Sequence, residues 1–134
     1  MAVGYCVDTS LVVAILRGKA NAQRHRLVSL DPLKVFIPSV VLAELLHGCE
    51  KSAAPAANRV KVHGFISPFA TLPFDAQAAT HYAEIKRDLE KSGRLIGNND
   101  LLIAATARAH GFTLISRNDA EFSRVPGLQT EDWL

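Results

Sequence analysis

The sequence predicts an α/β protein with a central, mainly parallel sheet covered by helices on both faces. Short apolar strands alternate with helical segments along the chain, and those strands read as nearly continuous apolar runs instead of alternating ones, as sheets buried on both sides require. The chain has 134 residues, 49% hydrophobic and 21% charged, enough for one domain over residues 1–134 to bury a core without metal staples or disulfides.

Each element has its own local signal. "VGYCVD" at 3 to 8 is a β-branched and aromatic strand, and "TSLVVAILRG" after it is a helix closed by Gly18. A second helix is expected from Asn21 to Leu30. "KVFIP" is the next strand, with Ser39 as the cap of the helix "VVLAELLHGC". Residues 56–69 are helical with interruptions at Gly64 and Pro68. In "LPFDAQAATHYAEIKRDLEKSG" a short strand leads to Asp75 as cap, and Ala78, Tyr82, Ile85 and Leu89 then share one helix face until Gly93. Glu84, Arg87, Asp88 and Lys91 fill the opposite face. "GNNDLLIAATARAHG" is a buried helix opening at Asp100, "FTLIS" a buried strand, and "GLQTEDWL" adds a last strand.

Composition removes several function classes. No apolar run approaches the roughly 20 residues of a membrane span, and the first residues lack the pattern of a secretion signal, with Asp8 breaking any apolar stretch. A cytoplasmic protein is expected. Cys6 and Cys49 match neither a zinc spacing nor a redox pair and read as reduced core residues. The formal charge of +2 is unremarkable, but if four of the 13 acids share one buried site, 15 basic groups face nine acids elsewhere, a surface suited to a polyanion.

The acids are placed unusually. Asp8 ends the first strand, Asp100 opens a helix, and Asp119 follows the strand "FTLIS". Each has an ordinary explanation as a turn or cap residue. Glu44 is harder to dismiss: it lies among Val40, Val41, Leu45 and Leu46 and is not spaced from Ser39 as a capping box requires. In a parallel sheet such positions gather at the carboxyl ends of the strands. Two unit charges 4 Å apart repel by about 4 kcal/mol at an effective dielectric of 20, so four ionised carboxylates in one cleft need protons or a cation. All are hard oxygen donors without His or Cys at ligand spacing, which favours Mg²⁺ or Mn²⁺, and the corresponding chemistry is metal-assisted phosphodiester hydrolysis.

Four blocks, "VDTSLVVAIL", "IPSVVLAELLHG", "IGNNDLLIAATARAHG" and "TLISRNDAEFSRVPGL", together resemble the PIN-domain ribonucleases, most closely the VapC toxins of bacterial toxin–antitoxin pairs. The resemblance covers nearly the whole chain. It implies a three-layer α/β/α sandwich in which Asp8, Glu44, Asp100 and Asp119 hold Mg²⁺ or Mn²⁺ and hydrolyse single-stranded RNA, with initiator tRNA as a target by analogy. Thr9 or Ser10, Ser116 and Asn118 align with polar residues that support the acids. Asn98 stands where relatives often carry proline, leaving Asn99 to cap, and Ser116 replaces a frequent threonine while keeping the hydroxyl. The resemblance also implies a homodimer and a cognate VapB-like antitoxin, a small DNA-binding protein whose tail blocks the acids; DNA is then bound only through the antitoxin. Val12, Val13, Leu42, Leu45 and Leu46 are candidates for these contacts or plain core. Basic candidates for the RNA backbone are Arg17, Lys19, Arg87, Arg94 and Arg117.

Rival functions fit less well. A phosphatase using Asp8 as nucleophile wants a second acid at position 10, which is Ser10, and a phosphate-receiving signalling domain wants adjacent acids after its first strand. No G-x-G-x-x-G motif follows any strand. A non-enzymatic PIN scaffold kept for interaction is the remaining alternative.

Overall fold

The computed structural model describes residues 4–133. Five strands, β1 (Tyr5–Val7), β2 (Val35–Pro38), β3 (Ala70–Leu72), β4 (Thr113–Ser116) and β5 (Thr130–Asp132), form one sheet in the order β3-β2-β1-β4-β5, every pairing parallel. Cys6 sits between Phe36 and Leu114, and Leu114 in turn lies beside Thr130. Cys6, Val7, Leu114 and Ile115 on the inner strands β1 and β4 have no exposed surface, whereas Ala70 and Thr71 on an edge strand are exposed. That gradient is why the inner strands read as unbroken apolar runs.

The helices are α1 (Thr9–Leu16), α2 (Asn21–Val28), α3 (Ser39–Glu50), α4 (Pro55–Ile66), α5 (Ala76–Ser92), α6 (Asn98–His110) and α7 (Asp119–Phe122), with a 3-10 turn at Pro32–Lys34. The chain steps from β1 through β2 to β3 in one direction and returns to β4 and β5 in the other. Right-handed crossovers therefore put α1 to α4 on one face and α5 to α7 on the opposite face, giving three layers. Helix α6 is wrapped by the sheet and α5, so Leu101, Ile103, Ala104, Ala105, Thr106 and Ala107 are all buried. Thr106 is tolerated there because its hydroxyl donates to the Leu102 carbonyl at 2.8 Å.

Most predicted elements are present, with shifted ends. Asp75 caps α5 by accepting from the Ala78 N–H, and Gly93 ends that helix at φ +67. Ser39 is not the cap of α3. Pro38 occupies that position, Ser39 is the first helical residue, and its hydroxyl accepts from the Phe74 N–H instead. Asn99 does not cap α6 either: Gly97 is the cap residue and Asn99 lies inside the first turn. Helix α4 runs through Gly64, and the third strand, Ala70–Leu72, starts ahead of "LPF" and shares only Leu72 with it. Val3 of the first predicted strand lies outside the described residues. Cys6 and Cys49 are free and buried, and burial pushes the Cys6 thiol up to about 12, which leaves it inert.

Gly4 precedes β1 where no side chain fits. A Cβ there would stand 2.5 Å from the Phe112 ring, which is stacked on Phe36 with centroids 4.7 Å apart. Gly4→Ala is expected to lower unfolding free energy in urea titration by about 1–3 kcal/mol; no loss would show that the stacked rings are free to slide.

Candidate active site

Asp8 follows β1 and starts α1. One carboxylate oxygen caps the helix, accepting from the Thr9 N–H at 2.7 Å, and the other accepts from the hydroxyls of Ser10 at 2.7 Å and Ser116 at 2.9 Å. The side chain is 3% exposed, and these three neutral donors satisfy it without a basic partner. Ser116 ends β4, the strand next to β1 from which the chain turns the other way. The Asp8–Ser116 hydrogen bond thus spans the switch point of the sheet, where open parallel sheets form their crevice.

Glu44, half-buried in the second turn of α3, points into the same region. It accepts from the Thr9 hydroxyl at 2.7 Å and from the Asn99 side-chain amide at 3.3 Å. Asp100 lies one residue beyond Asn99, in the first turn of α6. Its carboxyl is raised from 3.8 to about 7, first by burial, then by a hydrogen bond with Glu121, then by the negative charges of Asp8, Glu121 and Glu44. Four helix starts or early turns, from α1, α3, α6 and α7, thus bring acids together.

Glu121 is the site residue that sequence reasoning missed. It stands two positions after Asp119 in "NDAEF", a spacing at which two helical side chains do not face one another. Asp119 itself opens α7, and one of its carboxylate oxygens is buried with no hydrogen-bond partner among the described residues. It is not among the groups that shift Asp100. The structure therefore gathers Asp8, Glu44, Asp100 and Glu121 as one electrostatic cluster, with Asp119 beside it along the chain.

The supporting polar residues divide into two kinds. Thr9, Ser10 and Ser116 act through their hydroxyls. Asn118 acts through its backbone, donating its N–H to the Ser116 hydroxyl at 2.7 Å and so orienting the group that holds Asp8. Of the basic candidates, Arg17 and Lys19 line a cavity that also includes Glu44. Arg117 buries its Nε without a partner among the described residues. Arg87 instead pairs with Asp88 at 3.2 Å on α5, and Arg94 is exposed just past the end of that helix; among the described residues no ion pair joins either to the clustered acids. Val12 and Leu45 are core, while Val13, Leu42 and Leu46 are half-buried at its margin.

The residues fit a hard divalent cation. None of the four clustered acids, nor Asp119, has an ion-pair partner among the described residues, the donors are all oxygen, and the orphaned Asp119 oxygen lacks a counter-charge. The acids are gathered but not closed into a cage: among the described residues no three His, Cys, Asp or Glu side chains are grouped as ready metal ligands. A proton held by Asp100 next to Glu121 lowers the repulsion within the cluster, the role a cation would otherwise take.

This fold and acidic crevice define a class, and the chain belongs to the PIN-domain family, whose model matches residues 5–128. Within that family its full-length matches include VapC ribonucleases. It is 40% identical to the tRNA(fMet)-specific endonuclease VapC of Shigella flexneri, over 96% of this chain and 97% of that one. It is 37% identical to the ribonuclease VapC2 of Haemophilus influenzae, over 97% of this chain and 98% of that one. Among solved structures it matches the DNA-bound VapBC of Salmonella typhimurium with a TM-score of 0.93 and 36% identity, covering 98% of this chain and 99% of that one. VapBC2 of Rickettsia felis, bound to a fragment of its promoter, matches with a TM-score of 0.92 and 35% identity over 98% and 99%.

The Asp100 shift fixes a pH dependence. Between pH 3.8 and about 7 the folded protein holds a proton that the unfolded chain has released, so this group's contribution to stability falls as pH rises through that window and levels off above it. Urea titrations of metal-free protein are expected to show this decline, and Asp100→Asn is expected to flatten it.

Proposed function

We propose that this chain is the divalent-metal-dependent endoribonuclease toxin of a toxin–antitoxin pair, cleaving RNA at the crevice where Asp8, Glu44, Asp100 and Glu121 meet. The observation that carries the reading is the convergence of acids at the switch point of the sheet: Asp8 is tied to Ser116 across β1 and β4, Glu44 is tied to Thr9 and Asn99, and Asp100 lies close enough to feel Asp8, Glu44 and Glu121. The full-length likeness to proteins named ribonuclease or tRNA(fMet)-specific endonuclease supports RNA as substrate and initiator tRNA as a target. The likeness to VapBC complexes, two of them DNA-bound, supports a cognate antitoxin that carries DNA binding for the pair. We place the homodimer and the cytoplasmic setting in the same reading. Among the described residues no helix is long and apolar enough to cross a membrane.

Asp8, Glu44, Asp100, Glu121 and Asp119 would hold Mg²⁺ or Mn²⁺, which when bound supplies Lewis-acid activation of water and charge for the leaving oxygen. The chain's own residues prepare that site. Ser10, Ser116 and the Thr9 N–H fix both oxygens of Asp8 so that it does not rotate with each turnover. The Thr9 hydroxyl and the Asn99 amide orient Glu44, while Asp100 gives up its proton near neutral pH and so becomes a full acceptor there. The neutral character of every donor matters, because a lysine or arginine in their place would satisfy the acids and displace the ion.

Cleavage of single-stranded RNA in Mn²⁺ or Mg²⁺ tests the proposal. Asp8→Asn and Asp100→Asn are each expected to abolish cleavage, and Ser116→Ala to reduce it by roughly 10–100-fold, while circular dichroism shows the folded protein in each case. Full activity in both asparagine variants would refute the role of the cluster. RNA binding that ignores chelator, with no cleavage by the wild-type protein, would favour the silent scaffold.

A further inference from the structure

Two cavities beside the acid cluster have no part in the chemistry described above. The larger, about 560 Å³, is lined by α1, α3 and α4, and Glu44 forms part of its wall, so it borders the acid cluster on that side. Its apolar surface comes from Val13, Leu16, Leu45 and Val62, and Arg17, Lys19 and Lys61 stand around it. The second, about 350 Å³, shares Leu16 and Lys61 with the first and adds Arg24 and Phe65. None of these four cations has an ion-pair partner among the described residues, where the paired cations are Arg26, Arg59, Arg87 and Arg108.

We infer that the two cavities form a track for two successive nucleotides of single-stranded RNA leading from the scissile position, with Lys61 holding the phosphate between them and Phe65 stacking the outer base. The inference rests on the nuclease reading above and extends it to specific contacts. Each cavity pairs apolar surface suited to a planar base with cations suited to a phosphate, the combination that single-strand-binding grooves use. Each volume falls within the roughly 300–1,000 Å³ of small-ligand sites. The inner cavity also has a base-reading group: Asn58 donates its amide to Ser52 at 2.8 Å, which leaves its carbonyl oxygen to accept from a base edge. Phe65 is only half-buried, tilted against Phe69 with centroids 6.0 Å apart, and so presents part of its ring to the outer cavity. An extended protein tail would be served by the apolar surface but would not need four unpaired cations spaced along it.

Fluorescence anisotropy with a labelled single-stranded RNA of about ten nucleotides, in EDTA and across a salt series, tests the track without cleavage. Lys61→Gln is expected to weaken binding and to lower the salt slope by about 0.7, the value for one phosphate contact on a single strand. Phe65→Leu, which keeps apolar bulk against the core, is expected to weaken binding roughly tenfold with the slope unchanged, as loss of a stacked base does. Lys91→Gln, on α5, serves as the control and is expected to bind as wild type. Wild-type affinity and slope in both track variants would overturn the inference, and if the same preparations still cleave RNA in Mn²⁺ the nuclease reading survives that result. Altered binding as expected, in a wild-type protein that cleaves nothing, would keep the track and refute the nuclease. Unchanged RNA binding together with loss of a copurifying protein partner would reassign the cavities to that partner's tail and overturn the track.

Discussion

Like charges held together in a partly dry crevice are the constraint on which this structure turns. Asp100 carries the signature, since burial and the charges around it make ionisation unfavourable and push its carboxyl up to about 7. The fold does not choose that proximity for stability. It follows from where β1 and β4 end: the first residue past β1 is an aspartate, the last residue of β4 is the serine that binds it, and the helices leaving this edge of the sheet deliver the other acids from their first or second turns. Helix N-termini soften the cost through their unpaired N–H groups and dipoles. They do not remove it, and the remaining repulsion is the affinity available to a cation.

The rest of the molecule keeps that arrangement rigid. Largely buried inner strands and a helix α6 buried on nearly every side fix the backbone from which Asp8 and Asp100 project. Hydroxyls and an amide, not charged groups, then orient the carboxylates. The polar chain runs from the Asn118 N–H through Ser116 to Asp8, and a second runs from Thr9 and Asn99 to Glu44. Cations are kept one step further out, around the cavities flanked by α1 and α4, where they face solvent instead of neutralising the acids.

Elements whose burial follows from a simple apolar pattern were legible in the sequence, and so were Asp8, Glu44 and Asp100, because their surroundings made them anomalous. Asp75 was readable as a cap since nothing competed for it. Ser39 was not, because whether a hydroxyl caps its own helix or accepts from Phe74 depends on a contact 35 residues away. Glu121 escaped for a related reason. In a four-residue helix, Asp119 and Glu121 point in different directions, and the one that reaches Asp100 is decided by how α7 docks on the sheet, which no local spacing encodes. The basic residues were least legible: Arg17 and Lys19 border the acidic crevice, whereas Arg87 belongs to the solvated face of α5. Lys61 and Arg24 acquire significance only when α1 and α4 are seen side by side.

If a proton shared by Asp100 and Glu121 stands where a cation would otherwise act, then binding the cation must expel it. Calorimetric titration of Mn²⁺ into the metal-free protein, in two buffers of different ionisation enthalpy, measures that exchange directly. The account predicts release of about one proton per bound ion near pH 6, little release at pH 8.5, and loss of the effect in Asp100→Asn. Absence of binding, or binding with no proton release at pH 6, would contradict it.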